Sequence, residues 1–206
     1  MKACIFDLDG TLTNTLESMT YSVNLTLEEM GLSKITKDQC RLFVGNGARV
    51  LMEKSLKAAG DTDASRIEEG MEIYGRIFDR NCTYHVTPYE GIPEMLKALK
   101  DKGIHMAVLS NKPDRQTVKV VKAIFGEELF DKVQGQTAEI PRKPSPLGPL
   151  AIAKEFNAKP SECLYMGDTN TDMDTGNAAG MFTIGVTWGF RPRKELEEHH
   201  AAKIVD

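Results

Sequence analysis

The sequence predicts an α/β protein with a parallel sheet that carries helices on both faces, and with an all-helical segment inserted after the first strand. After residue 83, short apolar runs alternate with amphipathic helical patterns, which is typical of such a sheet. Between residues 14 and 82 the apolar residues recur only with helical spacing. We therefore expect two domains: a core of residues 1–13 and 83–206, and a helical insert of residues 14–82.

The first predicted strand, residues 4–6, ends in a charged turn. Asp7 and Asp9 follow the apolar run, and Gly10 permits the chain to turn sharply. Residues two apart in an extended chain face the same way, so the two carboxylates converge at the end of the strand. Carboxylates held this close repel each other unless a cation or a shared proton lies between them.

Four helices are predicted in the helical insert. The first spans residues 16–30 and stops at Gly31. Thr36 and Gln39 form a capping-box pattern for a short helix through residue 43. The glycine-rich stretch 44–48 opens a third helix toward residue 56, and a fourth pattern covers residues 67–78.

The remainder of the chain alternates between the two kinds of element. A helix beginning near Pro93 and ending at Gly103 precedes a strand at residues 104–109. A helix over 114–125, a strand over 130–133 and a proline-bounded turn at 142–146 follow, and the next helix ends near residue 156. Further strands are predicted at 163–166 and 182–186, on either side of a short helix, and the tail 192–206 predicts one helix and a short edge strand.

Composition excludes several classes of function. The 206 residues carry a formal net charge of -4 without a basic run, so we expect no nucleic-acid partner. No apolar stretch is long enough for a membrane span, and the first strand leaves no room for a signal peptide, so we expect a cytoplasmic protein. The four cysteines are far apart, which favours reduced thiols over a zinc site.

Polar residues follow the predicted strands at several points. Ser110 and Asn111 end the second strand of the core, Asp168 ends the strand at 163–166 with Asp172 four residues later, and Lys143 lies in the proline-bounded turn. In a parallel sheet these groups gather at one edge, where ligands bind. Four carboxylates in a cleft favour a hard dication bound through oxygen, and Mg²⁺ fits that description.

This set of residues suits attack on phosphorus. A carboxylate can act as the nucleophile and form an aspartyl-phosphate, provided that positive charge offsets the charge of the phosphoryl group. Lys143 supplies an ammonium, while the Ser110 hydroxyl and the backbone N–H groups near Asn111 can bind phosphoryl oxygens. Asp9 can protonate the leaving oxygen and then deprotonate water.

These motifs resemble, in order and over the whole chain, the four motifs of the haloacid dehalogenase superfamily: Asp7-Leu8-Asp9-Gly10-Thr11, Ser110, Lys143, and Gly167-Asp168 with Asp172. The resemblance implies a Rossmann-like core, and the helical insert resembles the helical cap of that family. It also implies Asp7 as the nucleophile and Asp9 as the acid and base. Mg²⁺ would be held by the Asp7 carboxylate, the Asp9 backbone carbonyl and Asp168, with direct or water-mediated support from Asp172.

Within the superfamily, further stretches resemble phosphoglycolate phosphatases: Val44-Gly45-Asn46-Gly47-Ala48-Arg49, Thr87-Pro88-Tyr89-Glu90-Gly91, Ser110-Asn111-Lys112, Lys143-Pro144-Ser145-Pro146 and Trp188-Gly189-Phe190. Thr169 stands where the fourth motif often has serine, and the hydroxyl is retained. Asp9 distinguishes this chain from the dehalogenase branch, which attacks carbon and lacks an acid at that position.

We therefore expect a phosphomonoester hydrolase for a small phosphate ester, with phosphoglycolate favoured, acting as a monomer or homodimer. Phosphate and substrate contacts are assigned to Gly10, Thr11, Ser110, Asn111, Lys143, Asn46, Gly47 and Arg49. Three alternatives stay open at this point: another small phosphate substrate, such as a sugar phosphate, nucleotide or pyrophosphate; a phosphomutase; or a non-catalytic phosphate-binding module. For Asn46 and Gly47 the alternative is a simple helix–helix joint, for Arg49 and Lys112 a solvated surface position, and for Trp188 no role is assigned.

Overall fold

The computed structural model describes residues 1–206. The first ten elements are β1 (Ala3–Phe6), β2 (Thr13–Asn14), α1 (Leu16–Glu29), α2 (Lys37–Phe43), α3 (Ala48–Ala58), α4 (Ile67–Asn81), β3 (Thr87–Pro88), α5 (Ile92–Asp101), β4 (His105–Pro113) and α6 (Asp114–Phe125). The remaining elements are β5 (Lys132–Gln136), α7 (Leu147–Glu155), a 3₁₀ turn (Pro160–Glu162), β6 (Cys163–Gly167), α8 (Asn170–Ala178), β7 (Phe182–Val186), α9 (Arg193–Glu198) and β8 (Lys203–Val205).

Six strands form one parallel sheet in the order β5-β4-β1-β6-β7-β8. The first strand, β1, lies between β4 and β6, with Phe6 in register with Val108 and Met166. The chain therefore leaves β1 toward one side of the sheet and later returns to the other. This reversal opens a crevice at the carboxyl end of β1, and the predicted α/β fold class is confirmed.

Residues of β1 alternate between two apolar clusters. Cys4 and Phe6 belong to a cluster that continues into α1, α3 and α4, whereas Ala3 and Ile5 belong to a smaller cluster on the other face. The alternation follows from the two-residue period of a strand that is buried on both faces. The helical insert is thus packed onto the sheet through continuous apolar contact in this structure.

The connection to the helical insert is a small sheet that the sequence analysis did not predict. β2 and β3 pair antiparallel, with Thr13 opposite Pro88 and Asn14 opposite Thr87. Strands of two residues contain no alternation to detect, which is why the sequence showed only helix after residue 14. The predicted domain boundary after residue 13 lies in this ribbon and the one after residue 82 lies shortly before β3, and the division into two domains stays a prediction.

Two further boundaries differ from the sequence analysis. The strand expected at residues 130–133 lies at Lys132–Gln136, because the Phe130 ring is buried edge-on against Phe6 and Phe125 instead of joining the sheet. β4 continues past residue 109 to Pro113, so Ser110, Asn111 and Lys112 lie within the strand end. No helix of the chain has the length and apolar character that crossing a membrane requires.

Candidate active site

The ammonium of Lys143 bridges two carboxylates at the carboxyl edge of the sheet. Its Nζ lies 2.8 Å from Oδ1 of Asp7 and 2.7 Å from Oδ1 of Asp172. Asp7 directly follows β1, and its N–H donates to the carbonyl of Met166 in β6. All three charged side chains are buried, so their charges compensate one another with little screening by water.

The Asp168 carboxylate is oriented by donors from two distant loops. Its Oδ1 accepts from the Thr11 hydroxyl at 3.1 Å, and its Oδ2 accepts from the Phe190 N–H at 2.7 Å. Gly10 and Gly189 lie against the same carboxylate, where any Cβ would overlap with it. The turn after β1 and the loop after β7 together hold Asp168 in one orientation.

Asp172 is oriented by the start of α8. The Thr169 N–H and hydroxyl both donate to Oδ2 of Asp172, at 3.1 and 2.7 Å. This contact is the reciprocal arrangement of a capping box, with aspartate at the third helical position. The other carboxylate oxygen of Asp172, Oδ1, accepts from Lys143. Thr169 and Lys143 together therefore fix the orientation of the Asp172 carboxylate.

The carboxylates of Asp7, Asp168 and Asp172 form a group that could hold a metal ion. One oxygen of each lies within 4.8 Å of the others, and all three residues are buried. Oxygen donors of this kind fit a hard divalent cation. The Asp9 carboxylate is not part of this group, and the contribution that the family resemblance assigns to Asp9 is its backbone carbonyl.

Burial makes the charged forms of these acids costly. It raises the pKa of Asp7 to about 7, although Lys143 lowers that pKa, with smaller increases from Asp172 and Asp9. Burial also raises the pKa of Asp168 well above its ordinary value. For Lys143 burial favours the neutral amine, but Asp172 and Asp7 outweigh it and its pKa is raised. A cation bound among the carboxylates would relieve this penalty.

Asn111 joins β4 to the turn that carries Lys143. Its side-chain amide donates to the Lys143 carbonyl at 3.2 Å and accepts from the Lys143 N–H at 2.9 Å. The same amide nitrogen also donates to the Gly45 carbonyl, in the helical insert, at 3.1 Å. The Ser110 hydroxyl accepts from the Lys112 N–H and faces the cavity, where it is available to a ligand.

Lys112 is a site residue that the sequence analysis left undecided. Its side chain is 2% exposed, its Nζ contacts Oδ1 of Asp9, and the nitrogen lies 5.2 Å from the centre of the Phe78 ring. The sequence signal was its position two residues after Ser110, at the end of a buried strand. Lysine is so often a surface residue that this signal was not sufficient.

These groups line an open cavity between the sheet edge and the helical insert. The insert contributes apolar and aromatic side chains and the backbone of its glycine-rich joint: Met19, Val44, Gly45, Gly47, Ala48, Leu51, Tyr74 and Phe78. Gly47 lines the cavity, and Gly10 and Thr11 lie beneath it against Asp168; their contacts with substrate stay predictions. A concave site that combines apolar walls with a few convergent polar groups is typical of small-molecule binding.

Arg49 and Asn46, both predicted to contact substrate, are not among the residues that line this cavity. Arg49 is exposed and its guanidinium pairs with Glu68, so this arginine, as placed here, makes no contact with the cavity. Asn46 is exposed at the rim, where its carbonyl accepts from Arg142 and its side chain from Thr171. The helical period turns the Arg49 side chain outward although Gly47 and Ala48 face inward.

Trp188 supports the turn that follows β1. Its indole N–H donates to the Thr11 carbonyl at 3.0 Å, and its ring packs against Tyr89. It therefore holds the segment that orients Asp168 and does not line the cavity.

Comparison with known proteins agrees with this architecture. The family described as haloacid dehalogenase-like hydrolase matches residues 4–186. The chain is 34% identical to a phosphoglycolate phosphatase of Aquifex aeolicus, over 92% of this chain and 86% of that protein, and 30% identical to one of Haemophilus influenzae strain Rd, over 98% and 92%. A crystal structure of a predicted phosphoglycolate phosphatase from Haemophilus somnus superposes with a TM-score of 0.93 at 26% identity, covering 100% of this chain and 94% of that one. The chain belongs to the haloacid dehalogenase-like hydrolase family.

Proposed function

We propose that this protein is a Mg²⁺-dependent phosphomonoester hydrolase that forms an aspartyl-phosphate on Asp7, with phosphoglycolate as its favoured substrate. The observation that carries the proposal is the contact of Lys143 with Asp7 inside a group of three buried carboxylates at the floor of a small cavity. Phosphoryl transfer to aspartate requires a nucleophilic carboxylate, an ammonium beside it and a group of carboxylates that can bind a metal ion.

The first half of the reaction transfers the phosphoryl group to Asp7. A carboxylate oxygen of Asp7 attacks phosphorus in line with the ester oxygen, and the bond between phosphorus and that oxygen breaks. Lys143 stays in contact with Asp7 and offsets the negative charge that builds up. When bound by Asp7, Asp168, Asp172 and the Asp9 carbonyl, Mg²⁺ supplies positive charge that lets the anionic reactants approach.

Proton transfer in both halves is assigned to Asp9. Its carboxyl group protonates the leaving oxygen, which departs as an alcohol, and then takes a proton from water as that water attacks the phosphorus of the aspartyl-phosphate. Inorganic phosphate leaves and the Asp7 carboxylate is restored. Asp9 lines the cavity close to Asp7, which supports this assignment.

The phosphoryl oxygens are assigned to donors at two strand ends. The Ser110 hydroxyl and the backbone at Asn111 line the cavity beside Lys143. Gly10 and Thr11 lie against Asp168; the Gly10 N–H already donates to the Thr13 carbonyl, so the phosphate contact proposed for this turn falls to Thr11. In the same proposal the helical insert, residues 14–82, acts as a cap that excludes bulk water and limits substrate size. Its apolar residues in the cavity wall support that role.

Phosphoglycolate is favoured because relatives that match nearly the whole chain carry the name phosphoglycolate phosphatase. A compact ester with two anionic groups, a phosphate and a carboxylate, also suits a cavity that contains two ammonium groups, Lys112 and Lys143. Other small phosphate compounds and transfer to a sugar acceptor are separate outcomes of the test.

The test is phosphate release from a panel that includes phosphoglycolate, sugar phosphates, a nucleotide, pyrophosphate and a generic chromogenic ester. We expect kcat/KM to be highest for phosphoglycolate and release to stop when a chelator removes Mg²⁺. Asp7→Asn keeps the shape of the side chain but removes the nucleophile, so it should lose activity by several orders of magnitude while its melting temperature stays close to that of the unmodified protein. Full activity of Asp7→Asn would refute the covalent mechanism. If no ester of the panel released phosphate in a metal-dependent reaction, the proposed enzymatic activity would be refuted.

A further inference from the structure

We propose that Lys112 binds the carboxylate of the substrate and thereby selects phosphate esters of 2-hydroxy acids, in which a single carbon separates the ester oxygen from the carboxylate. The inference rests on the proposed function and assigns the carboxylate contact to a residue of the core instead of to the helical insert. Arg49, the charged insert residue predicted to contact substrate, is exposed and paired with Glu68.

Two ammonium groups line the cavity, and Lys112 is the one that makes no ion pair with Asp7, Asp168 or Asp172. Lys143 already contacts Asp7 and Asp172, whereas Asp9 is the one protein acceptor within hydrogen-bond distance of Lys112 Nζ. That ammonium also lies over the Phe78 ring, which offers a π-face but no hydrogen-bond acceptor. An ammonium has three donors, so Lys112 has hydrogen-bonding capacity that the protein leaves for a ligand.

The proposed reaction takes away the single anionic partner of Lys112. Asp9 must contact the leaving oxygen of the substrate, and a carboxyl group engaged there cannot continue to serve as the full counter-charge of the ammonium. A side chain only 2% exposed has little access to water in exchange. A buried ammonium without an anionic partner is costly, so the site favours a substrate that brings its own carboxylate.

The positions of Asp9 and Lys112 fit such a substrate. Asp9 is assigned to the ester oxygen, and Lys112 lies within hydrogen-bond distance of Asp9. A carboxylate attached one carbon beyond that oxygen therefore comes within reach of the ammonium without a change of fold. A phosphate ester lacking the carboxylate leaves Lys112 unpaired, and sites built around a polar group reject analogues without it by large factors.

The first experiment compares phosphoglycolate with ethyl phosphate, whose leaving group has no carboxylate. For Lys112→Met we expect the preference for phosphoglycolate over ethyl phosphate, taken as the ratio of the two kcat/KM values, to fall at least about 20-fold, whatever loss both substrates share through Asp9. Lys122→Met removes the same charge from an exposed pair with Glu127 and should leave both substrates unaffected. Equal losses for both substrates would overturn the inference, because Lys112 would then act only through Asp9 or through folding.

The second experiment measures binding without turnover. The phosphonate 3-phosphonopropionate has the shape and carboxylate of phosphoglycolate, and propylphosphonate lacks the carboxylate. By calorimetry with Mg²⁺ present, we expect the unmodified protein to prefer the first compound and Lys112→Met to lose at least about 10-fold in affinity for it alone. Equal binding of the two phosphonates by the unmodified protein would overturn the inference, even if Lys112→Met failed to fold.

The two levels of the proposal fail in different ways. A protein that releases phosphate from the chromogenic ester but does not favour phosphoglycolate over ethyl phosphate remains a phosphatase and refutes carboxylate recognition by Lys112. A protein that releases phosphate from no ester refutes the proposed function as well. Lys112→Gln, which keeps a polar side chain of similar length, repeats the substrate comparison if Lys112→Met is unstable.

Discussion

A Cβ atom at Gly10 would lie 2.4 Å from Oδ2 of Asp168, so the Asp168 carboxylate occupies space that only glycine leaves free. Gly10 also has a φ of +90°, in the region that side chains avoid. One residue thus satisfies two requirements, a sharp turn after β1 and a close approach to an acid that arrives from β6.

Gly10→Ala is therefore expected to displace Asp168 as well as to strain the backbone. We expect loss of activity and at least about 10-fold weaker Mg²⁺ binding, measured by calorimetry, because one ligand of the acidic group moves. Gly103→Ala is the control, since Gly103 has a φ of +66° but no neighbour within 4 Å of its missing Cβ. That variant should lose about 1–2 kcal/mol of stability and keep its activity. Equal metal affinity in the two variants would contradict the prediction.

Lys143→Met should destabilise the protein strongly when metal is absent. The substitution removes a buried ammonium from Asp7 and Asp172 and leaves two buried carboxylates uncompensated, which costs about 3–5 kcal/mol in comparable cases. Lys132→Met breaks an exposed pair with Glu155 and should cost less than about 1 kcal/mol. Urea unfolding in the presence of chelator measures both. A Lys143→Met variant as stable as Lys132→Met would show that the buried charges are compensated in another way.

The metal-free protein should lose stability as the pH rises from about 4 to about 7. The pKa of Asp7 is 3.8 ordinarily and about 7 in the folded protein, so within this window the folded state holds a proton that the unfolded state has released. The free energy of unfolding then falls with increasing pH. Asp168 is shifted in the same direction, also through burial, and adds to the slope.

Divalent metal should reverse this trend, because it binds the deprotonated acids. We expect the gain in melting temperature on adding Mg²⁺ to be larger at pH 7.5 than at pH 5. Asp7→Asn, measured with chelator, should show a shallower decline of stability with pH than the unmodified protein. Identical pH slopes for the two proteins would show that Asp7 does not carry the shift.

Arg191 should hold the helical insert to the core through backbone carbonyls. Its guanidinium donates to the Arg41 and Val44 carbonyls, each at 2.8 Å, and so satisfies acceptors at the C-terminal end of α2. For Arg191→Met we expect faster hydrogen exchange across residues 37–44 and a higher KM, while the sheet keeps its protection.

Arg193→Met is the matched control for that variant. Arg193 pairs with Asp206 at the end of the chain and makes no contact with α2. Its exchange over residues 37–44 should equal that of the unmodified protein. If Arg191→Met also left this exchange unchanged, the contacts of Arg191 would not be what holds the helical insert to the core. Other contacts between residues 14–82 and the core would then have to do so.

Much of the architecture could be predicted because its signals are local. The capping box of Thr36 and Gln39 is present as predicted, and the helix from Asp114 to Phe125 has the predicted limits. The predicted start of β5 at Phe130 was two residues too early, because an apolar run does not reveal whether a ring packs against other rings or lies in the sheet. The β2–β3 ribbon was missed because its two-residue strands pair only once the chain has closed the 72-residue connection that contains α1 to α4.

The same distinction applies to the candidate site. Asp7, Asp168, Asp172 and Lys143 were predicted to meet because parallel strands bring their carboxyl ends to one edge, and the structure places them in contact or within a few ångströms. Arg49 was assigned to substrate from its residue type and neighbourhood, but its direction depends on the rotation of α3, which local sequence does not specify. The roles of these residues in catalysis stay predictions until the variants are measured.

The sequence alone determined which chemical groups are available and the order of strands and helices that delivers them, since hydrophobic period, caps and turn residues act over a few residues. Only the tertiary structure decided which charged side chains lie next to each other. Lys112 pairs with Asp9 across 103 positions, and Gly10 makes room for a carboxylate that belongs to another strand. Such pairings depend on distances between segments far apart in the chain, and electrostatic and steric contacts at those distances exist only after the sheet and the helical insert have packed together.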